Sequence, residues 1–227
     1  DPSLGYYAFE YQPAFVKSGV ELAPLEMPLS AARQPFAFPD LPELTYRRLP
    51  GMLADALPDD FGNLLVDAWM AREGVAKSQI TSLDRLAYMG KRGLGALEFR
   101  PSRGPRRSTK STAIQLSALV ESARRAVQGD IDNDAHAEAA LGQIIQVGTS
   151  AGGARAKAVI SWNPTTHEIR AGQFDVQPGF EHWLIKFDGV GVDERLGVSQ
   201  DYGRIEYAYH LMAHAAGIAM SPSRLLE

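Results

Sequence analysis

Gly148-Thr149-Ser150-Ala151-Gly152-Gly153-Ala154-Arg155-Ala156-Lys157-Ala158-Val159-Ile160-Ser161-Trp162 is the stretch on which the fold turns. Glycines surround two hydroxyls, and a β-forming run succeeds them from Ala158 to Trp162. Small residues let backbone N–H groups approach an anion closely. The residues after Trp162 decide the type of loop. Asn163-Pro164-Thr165-Thr166 reads as a turn and His167 to Gly172 as the return strand, so the glycines introduce a β-meander rather than a helix. A Walker loop needs Gly-Lys-Ser/Thr and then a helix, whereas Gly153 is followed by Ala154-Arg155. A dinucleotide fingerprint also needs a helix start. Two readings are left: a cover for phosphates between β elements, or a plain glycine-rich turn. Lys157 is read either as a phosphate contact or as a residue that holds the loop.

Downstream, Phe180 to Asp188 reads FEHWLIKFD, with Trp183-Leu184-Ile185 as a buried strand pattern and Lys186 just after it. Such a lysine either snorkels to solvent or reaches a phosphate. In the second role it needs a carboxylate to orient it. A helix from Arg204 to Ala216 supplies one: Ile205, Ala208, Tyr209, Met212 and Ala216 line one face, and Glu206 lies in the first turn beside it. Gly217 ends that helix, and Ile218-Ala219-Met220 begins an extended segment. His210 and His214 are spaced for a metal pair, but there is no HExxH pattern and no third ligand, so no metal is assigned.

Upstream, Asp130, Asp132 and Asp134 imitate a calcium loop, but Ala135 and Leu141 stand where Gly and Glu are needed. They are read as an acidic cap on a helix over 134–146, which follows a helix over 112–128 with Leu116, Leu119, Val120, Ala123 and Val127 on one face. Residues 100–110, RPSRGPRRSTK, hold five basic residues and no acid. They read as a solvated linker in preference to a phosphate contact, since no aromatics are interleaved. Ala96 to Phe99 reads as a strand. Thr81 or Ser82 caps a helix through Met89, and Asp59 or Asp60 caps a longer one that carries Leu64, Leu65, Ala68, Trp69 and Arg72 and stops at Gly74. Gly5 to Tyr11 suggests a strand. Pro13, Pro24, Pro28, Pro35, Pro39, Pro42 and Pro50 then predict short strands and loops instead of helices.

Composition narrows the function classes. The 227 residues are 45 % hydrophobic and 22 % charged, which is ordinary for a globular chain and long enough for one large domain or two small ones. Lys and Arg number 23 against 27 Asp and Glu, a net charge of −4, which argues against a chain built to coat nucleic acid. No cysteine is present, which excludes disulfides, thiolate metal sites and Cys nucleophiles. No apolar run approaches the roughly 20 residues of a membrane helix. Asp1 in place of Met, and the Arg224-Leu225-Leu226-Glu227 ending, predict a piece of a longer protein.

In this order the parts resemble the HipA family of bacterial toxin kinases, Ser/Thr protein kinases of type II toxin–antitoxin systems. Six segments in register carry the resemblance, over essentially the entire chain: Tyr6 to Tyr11 with Met27-Pro28-Leu29; Leu57-Pro58-Asp59-Asp60-Phe61-Gly62; Leu86 to Phe99; Gly148 to Lys157; Trp183 to Phe187; and Glu206 to Ile218. The resemblance implies an α+β fold. Residues 1–110 would form an accessory subdomain, and 111–227 a kinase-like N-lobe with an antiparallel sheet, stopping at the hinge without the helical C-terminal lobe. It implies that Lys186 contacts ATP phosphates, that Glu206 positions it, and that Ser150, Ala151, Gly152, Gly153, Ala154, Arg155, Ala156 and Lys157 wrap the nucleotide. Ser150 matches a serine that family members phosphorylate on themselves, with Arg155 and Lys157 as neighbours for the added charge.

ATP and Mg2+ are the implied cofactors of the full-length protein, and neither is expected to be held tightly by this piece alone. A helix-turn-helix antitoxin and, through it, operator DNA are the implied partners, with a translation component as substrate and the cytoplasm as location. The family's catalytic Asp and Mg2+-holding Asp are due after the hinge. Asp188-Gly189 sits in the wrong place for the latter, so this piece alone is expected not to catalyse. Two other readings stand beside the kinase: an interaction domain for the antitoxin–DNA complex, and a nucleic-acid module using the basic run at 100–110.

Overall fold

In a computed structural model, which describes residues 5–93, 96–105, 123, 156–171, 178–188 and 201–226, the early prolines do not abolish helices but cut them to single turns. Helix α1 (Pro13–Val16) carries proline in its first turn, α2 (Glu43–Tyr46) follows Pro42, and α3 (Gly51–Ala54) follows Pro50. A 3-10 turn, Leu29–Ala31, follows Pro28. The first N–H groups of a helix have no partner inside it, so a proline there costs no hydrogen bond. Short helical turns therefore stand where short strands were expected, and the expected loops join them.

The GYYAFEY segment is likewise not a strand. It is reduced to one bridge, in which the N–H groups of Phe9 and Phe36 donate to each other's carbonyls at 2.8 and 2.7 Å. The ladder stops there: the Tyr7 N–H, which would come next in register, donates to the Arg48 carbonyl at 2.9 Å instead. The aromatics pack instead: Tyr11 meets the rings of Phe9, Phe15 and Phe36, and its hydroxyl donates to the Met27 carbonyl at 3.1 Å. Ala96 to Phe99 is also not a strand; the Phe99 N–H closes a loop on the Gly90 carbonyl.

Two compact units divide the chain. The first joins Asp1–Leu57 with Gln79–Arg103, and the second joins Pro58–Ser78 with Gly104–Glu227. In the first unit, α5 (Ser82–Met89) opens on a capping box between Thr81 and Asp84 and buries Leu86, Tyr88 and Met89. Burial pushes the Tyr88 phenol above its ordinary value, partly offset by the Arg92 guanidinium over its ring.

The second unit is built on three antiparallel strands: β1 (Lys157–Trp162), β2 (Ile169–Ala171) and β3 (Glu181–Lys186). Their order is β2-β1-β3, so β1 is central and the expected meander, which would place β2 in the middle, does not form. The turn at Asn163 does form: its side-chain carbonyl accepts the N–H groups of Thr165 and Thr166. Ala158, Ile160 and Trp162 of β1 are buried with Ile169 and Phe187 against Phe61 and Leu65 of α4 (Asp60–Arg72). Ala123, from the apolar face expected over 112–128, is helical and buried in the same core. The rest of that helix, the helix at 134–146 and the glycine loop at 148–155 lie outside the described residues. Trp69 packs partly buried against this core, as its helical spacing predicts.

Among the described residues the second long helix is α6 (Tyr202–Ala215). Both α4 and α6 end on a glycine at positive φ, +79° at Gly74 and +75° at Gly217. At each end the glycine N–H and the next one return to carbonyls of the last turn, the closure that needs a left-handed residue. No described helix is long and apolar enough to cross a membrane.

Candidate nucleotide site

Strand β3 lies at the edge of the described sheet, and its side chains alternate. Trp183 and Ile185 pack toward the core, whereas Leu184 is 44 % exposed. It is thus a half-buried edge strand, not the fully buried pattern expected of Trp183-Leu184-Ile185. The period of two carries Lys186 to the same outward side as Leu184. Helix α6 begins at Tyr202, earlier than Arg204, so Glu206 falls in its second turn. The structure brings the two residues together: Lys186 Nζ donates to Glu206 Oε2 at 2.7 Å, with both side chains about half exposed (46 % and 48 %). They line a cleft of about 660 Å³, whose walls include Leu184, Met220 and Leu226. An exposed ion pair contributes little stability and leaves its cation open to an anion.

Two further carboxylates organise this region. Asp188 Oδ2 accepts the Gly203 N–H at 2.9 Å, tying the end of β3 to the start of α6. Asp59 is the N-cap of α4: its Oδ1 accepts the Gly62 N–H at 2.7 Å, and its Oδ2 lies 3.0 Å from Lys157 Nζ. The Lys157 and Asp59 side chains are 5 % and 3 % exposed. Of the loop residues expected to wrap a nucleotide, Ala156 and Lys157 are described; both are buried, and the Lys157 amine is turned to Asp59. Ser150, Ala151, Gly152, Gly153, Ala154 and Arg155 lie outside the described residues.

Residues 218–226 run without regular secondary structure and contribute Met220 and Leu226 to the cleft wall. Arg224 places its guanidinium 5.1 Å from the Trp162 ring centroid and 5.6 Å from that of Trp183. His210 and His214 have ring centroids 5.9 Å apart, and Tyr207 stacks on His210. Among the described residues no three His, Asp or Glu side chains are arranged to hold a metal ion.

Sequence reasoning found Lys186 and Glu206 and narrowed the cap to Asp59 or Asp60, but missed the second role of Asp59, the cap by Asp188 and the Arg224 stack. One signal was available. A lysine opening a strand that buries both faces cannot keep its charge dry without a carboxylate, so a partner for Lys157 was due.

Fold and cleft together define an α+β chain that sets a carboxylate-held lysine over an open pocket. A family model described as the HipA N-terminal domain matches residues 2–100, and one described as the HipA-like C-terminal domain matches residues 149–227. The chain belongs to the HipA family. No curated protein and no solved structure matches it. The buried pair joins the two matched stretches, since Asp59 lies in the first and Lys157 in the second.

Proposed function

We propose that the chain is the ATP-binding part of a serine/threonine protein kinase of the HipA toxin type. The observation that carries this reading is the Lys186–Glu206 pair at the edge of the 660 Å³ cleft. The fit to a nucleotide is chemical. A half-exposed ammonium already oriented by a carboxylate suits a phosphate, and apolar walls suit a base. Lys186 holds the phosphates and Glu206 fixes where its amine points. The loop from Ser150 to Ala156 covers them, and Lys157 anchors the end of that loop through Asp59. When bound, ATP supplies the transferable phosphoryl group, and Mg2+ neutralises its charge. No residue of these 227 is assigned to the metal or to the catalytic base, so the chain by itself is expected to bind and not to transfer.

In the complete protein, Ser150 is the residue that takes a phosphate in self-regulation. Its added charge of roughly −1.5 to −2 repels ATP and seeks Arg155. Such a toxin is held by a helix-turn-helix antitoxin on operator DNA. The test is phosphate transfer from labelled ATP with Mg2+ by the complete protein. Activity lost in Lys186→Met, with the phosphate of the wild type mapped to Ser150, is the expected result. Full activity in Lys186→Met contradicts the assignment, and a phosphate mapped elsewhere contradicts the role of Ser150. For the chain alone, saturating ATP should raise the stability by about 2.7 kcal/mol at a hundred times its Kd.

A further inference from the structure

Helix α6 is capped by a residue from outside itself. Its N-cap, Asp201, has φ −118° and ψ 10° and makes no side-chain cap hydrogen bond. Its carboxylate lies 3.4 Å from Arg204 instead. The N–H of Gly203 is taken by Asp188, two residues past Lys186. Three residues further along α6 comes Glu206, the partner of Lys186. Asp188 stands in the turn just past β3, and Gly203 and Glu206, three apart on α6, share a face. Asp188–Gly203 and Lys186–Glu206 therefore form consecutive ties between the end of β3 and the first turns of α6.

The first tie is the firmer one. It joins a carboxylate to a backbone N–H at the positive end of a helix, where negative charge is favoured. The fit is close: a Cβ on Gly203 would lie 3.3 Å from Asp188 Oδ2. The second tie joins two long, half-exposed side chains, and such pairs are weak by themselves. Where Glu206 stands therefore depends on what holds the helix.

We propose that Asp188 is a positioning residue: by capping α6 it sets the height and rotation at which Glu206 meets Lys186. Its consequence for catalysis rests on the nucleotide-binding role proposed for the cleft, but the clamp itself does not.

The test is acylation of the chain by a small amine reagent across pH 6–9, with rates at each lysine read by mass spectrometry. Glu206→Gln and Asp188→Ala are both expected to speed modification of Lys186 by roughly two- to fivefold, the range of an exposed pair. Asp188→Asn keeps an acceptor oxygen and should stay near the wild-type rate. Lys157, being buried, should remain slow throughout and reports any general loosening. An Asp188→Ala rate equal to wild type, with Glu206→Gln fast, would overturn the proposal. So would Asp188→Asn as fast as Asp188→Ala, or Lys157 rising in step with Lys186. If Asp188→Ala does not fold, Gly203→Ala crowds the same contact and should speed Lys186; an unchanged rate there contradicts the clamp. ATP titration of the same samples separates the two ideas. A chain that binds no ATP yet shows these rates sinks the nucleotide reading and leaves the clamp standing.

Discussion

Lys157 and Lys186 face each other directly across β1 and β3, yet they do opposite things. Like charges opposed on a sheet repel, and each is answered by its own carboxylate. The Lys157–Asp59 pair is buried, at 3.0 Å, while Lys186–Glu206 is half exposed, at 2.7 Å. Burial reverses what an ion pair means. Inside the fold both charges have lost their water, so neither partner can be removed cheaply. At the cleft edge water still screens the pair, so little stability hangs on it and the cation is free to take an anion as well. One pair holds the chain together, and the other is available for chemistry.

The largest expected effect breaks the buried side of this contrast. Asp59→Ala should cost about 3–5 kcal/mol in denaturant unfolding, because it takes a carboxylate from a buried ammonium and removes a helix cap. A loss under about 1 kcal/mol would mean that Lys157 reaches water. A double variant sharpens the point. Asp59→Asn keeps a good cap, and Lys157→Met removes the charge, so together they should recover most of what Asp59→Ala loses.

A buried group whose neighbouring cation offsets its burial only in part gives a further contrast, in the first unit. Burial raises the Tyr88 phenol above its ordinary value of 10.0 in the folded chain. Below that value the phenol is neutral in both states and stability is unaffected. As pH rises through it, the unfolded chain releases the proton first. Stability then falls by about 1.4 kcal/mol per pH unit. Tyr88→Phe should flatten this alkaline limb in a pH series of unfolding curves, and an unchanged limb would place its cause elsewhere. The smallest stability effect belongs to the exposed pair. Lys186→Met and Glu206→Gln should each shift stability by less than about 1 kcal/mol, with any loss fading as salt is added.

Where local rules dominate, the fold could be read from the chain. The turn at Asn163, the caps at Asp59 and Thr81 and the stops at Gly74 and Gly217 each follow from the chemistry of one or two residues. The meeting of Lys186 and Glu206 was expected on other grounds, from a lysine that needs an orienting carboxylate and from the HipA resemblance. What was not legible depends on distant partners. The order β2-β1-β3 is set by which edge of β1 the third strand joins, and no local signal carries that choice. Asp59 and Lys157 come together from distant parts of the chain. The aromatic run from Tyr6 to Tyr11 has strand propensity, but the Tyr7 N–H goes to the distant Arg48 carbonyl and leaves it one bridge. Leu184 was read as core because apolar residues flank it, yet the sheet edge turns it outward.

The most direct measurement is affinity labelling with an acyl phosphate of ATP, which acylates an amine lying against the bound phosphates. Labelling at Lys186, abolished by excess ATP and absent at Lys157, is the predicted result. Labelling that ignores competing ATP, or that falls on Lys157 with Lys186 untouched, would contradict the division of labour between the two lysines.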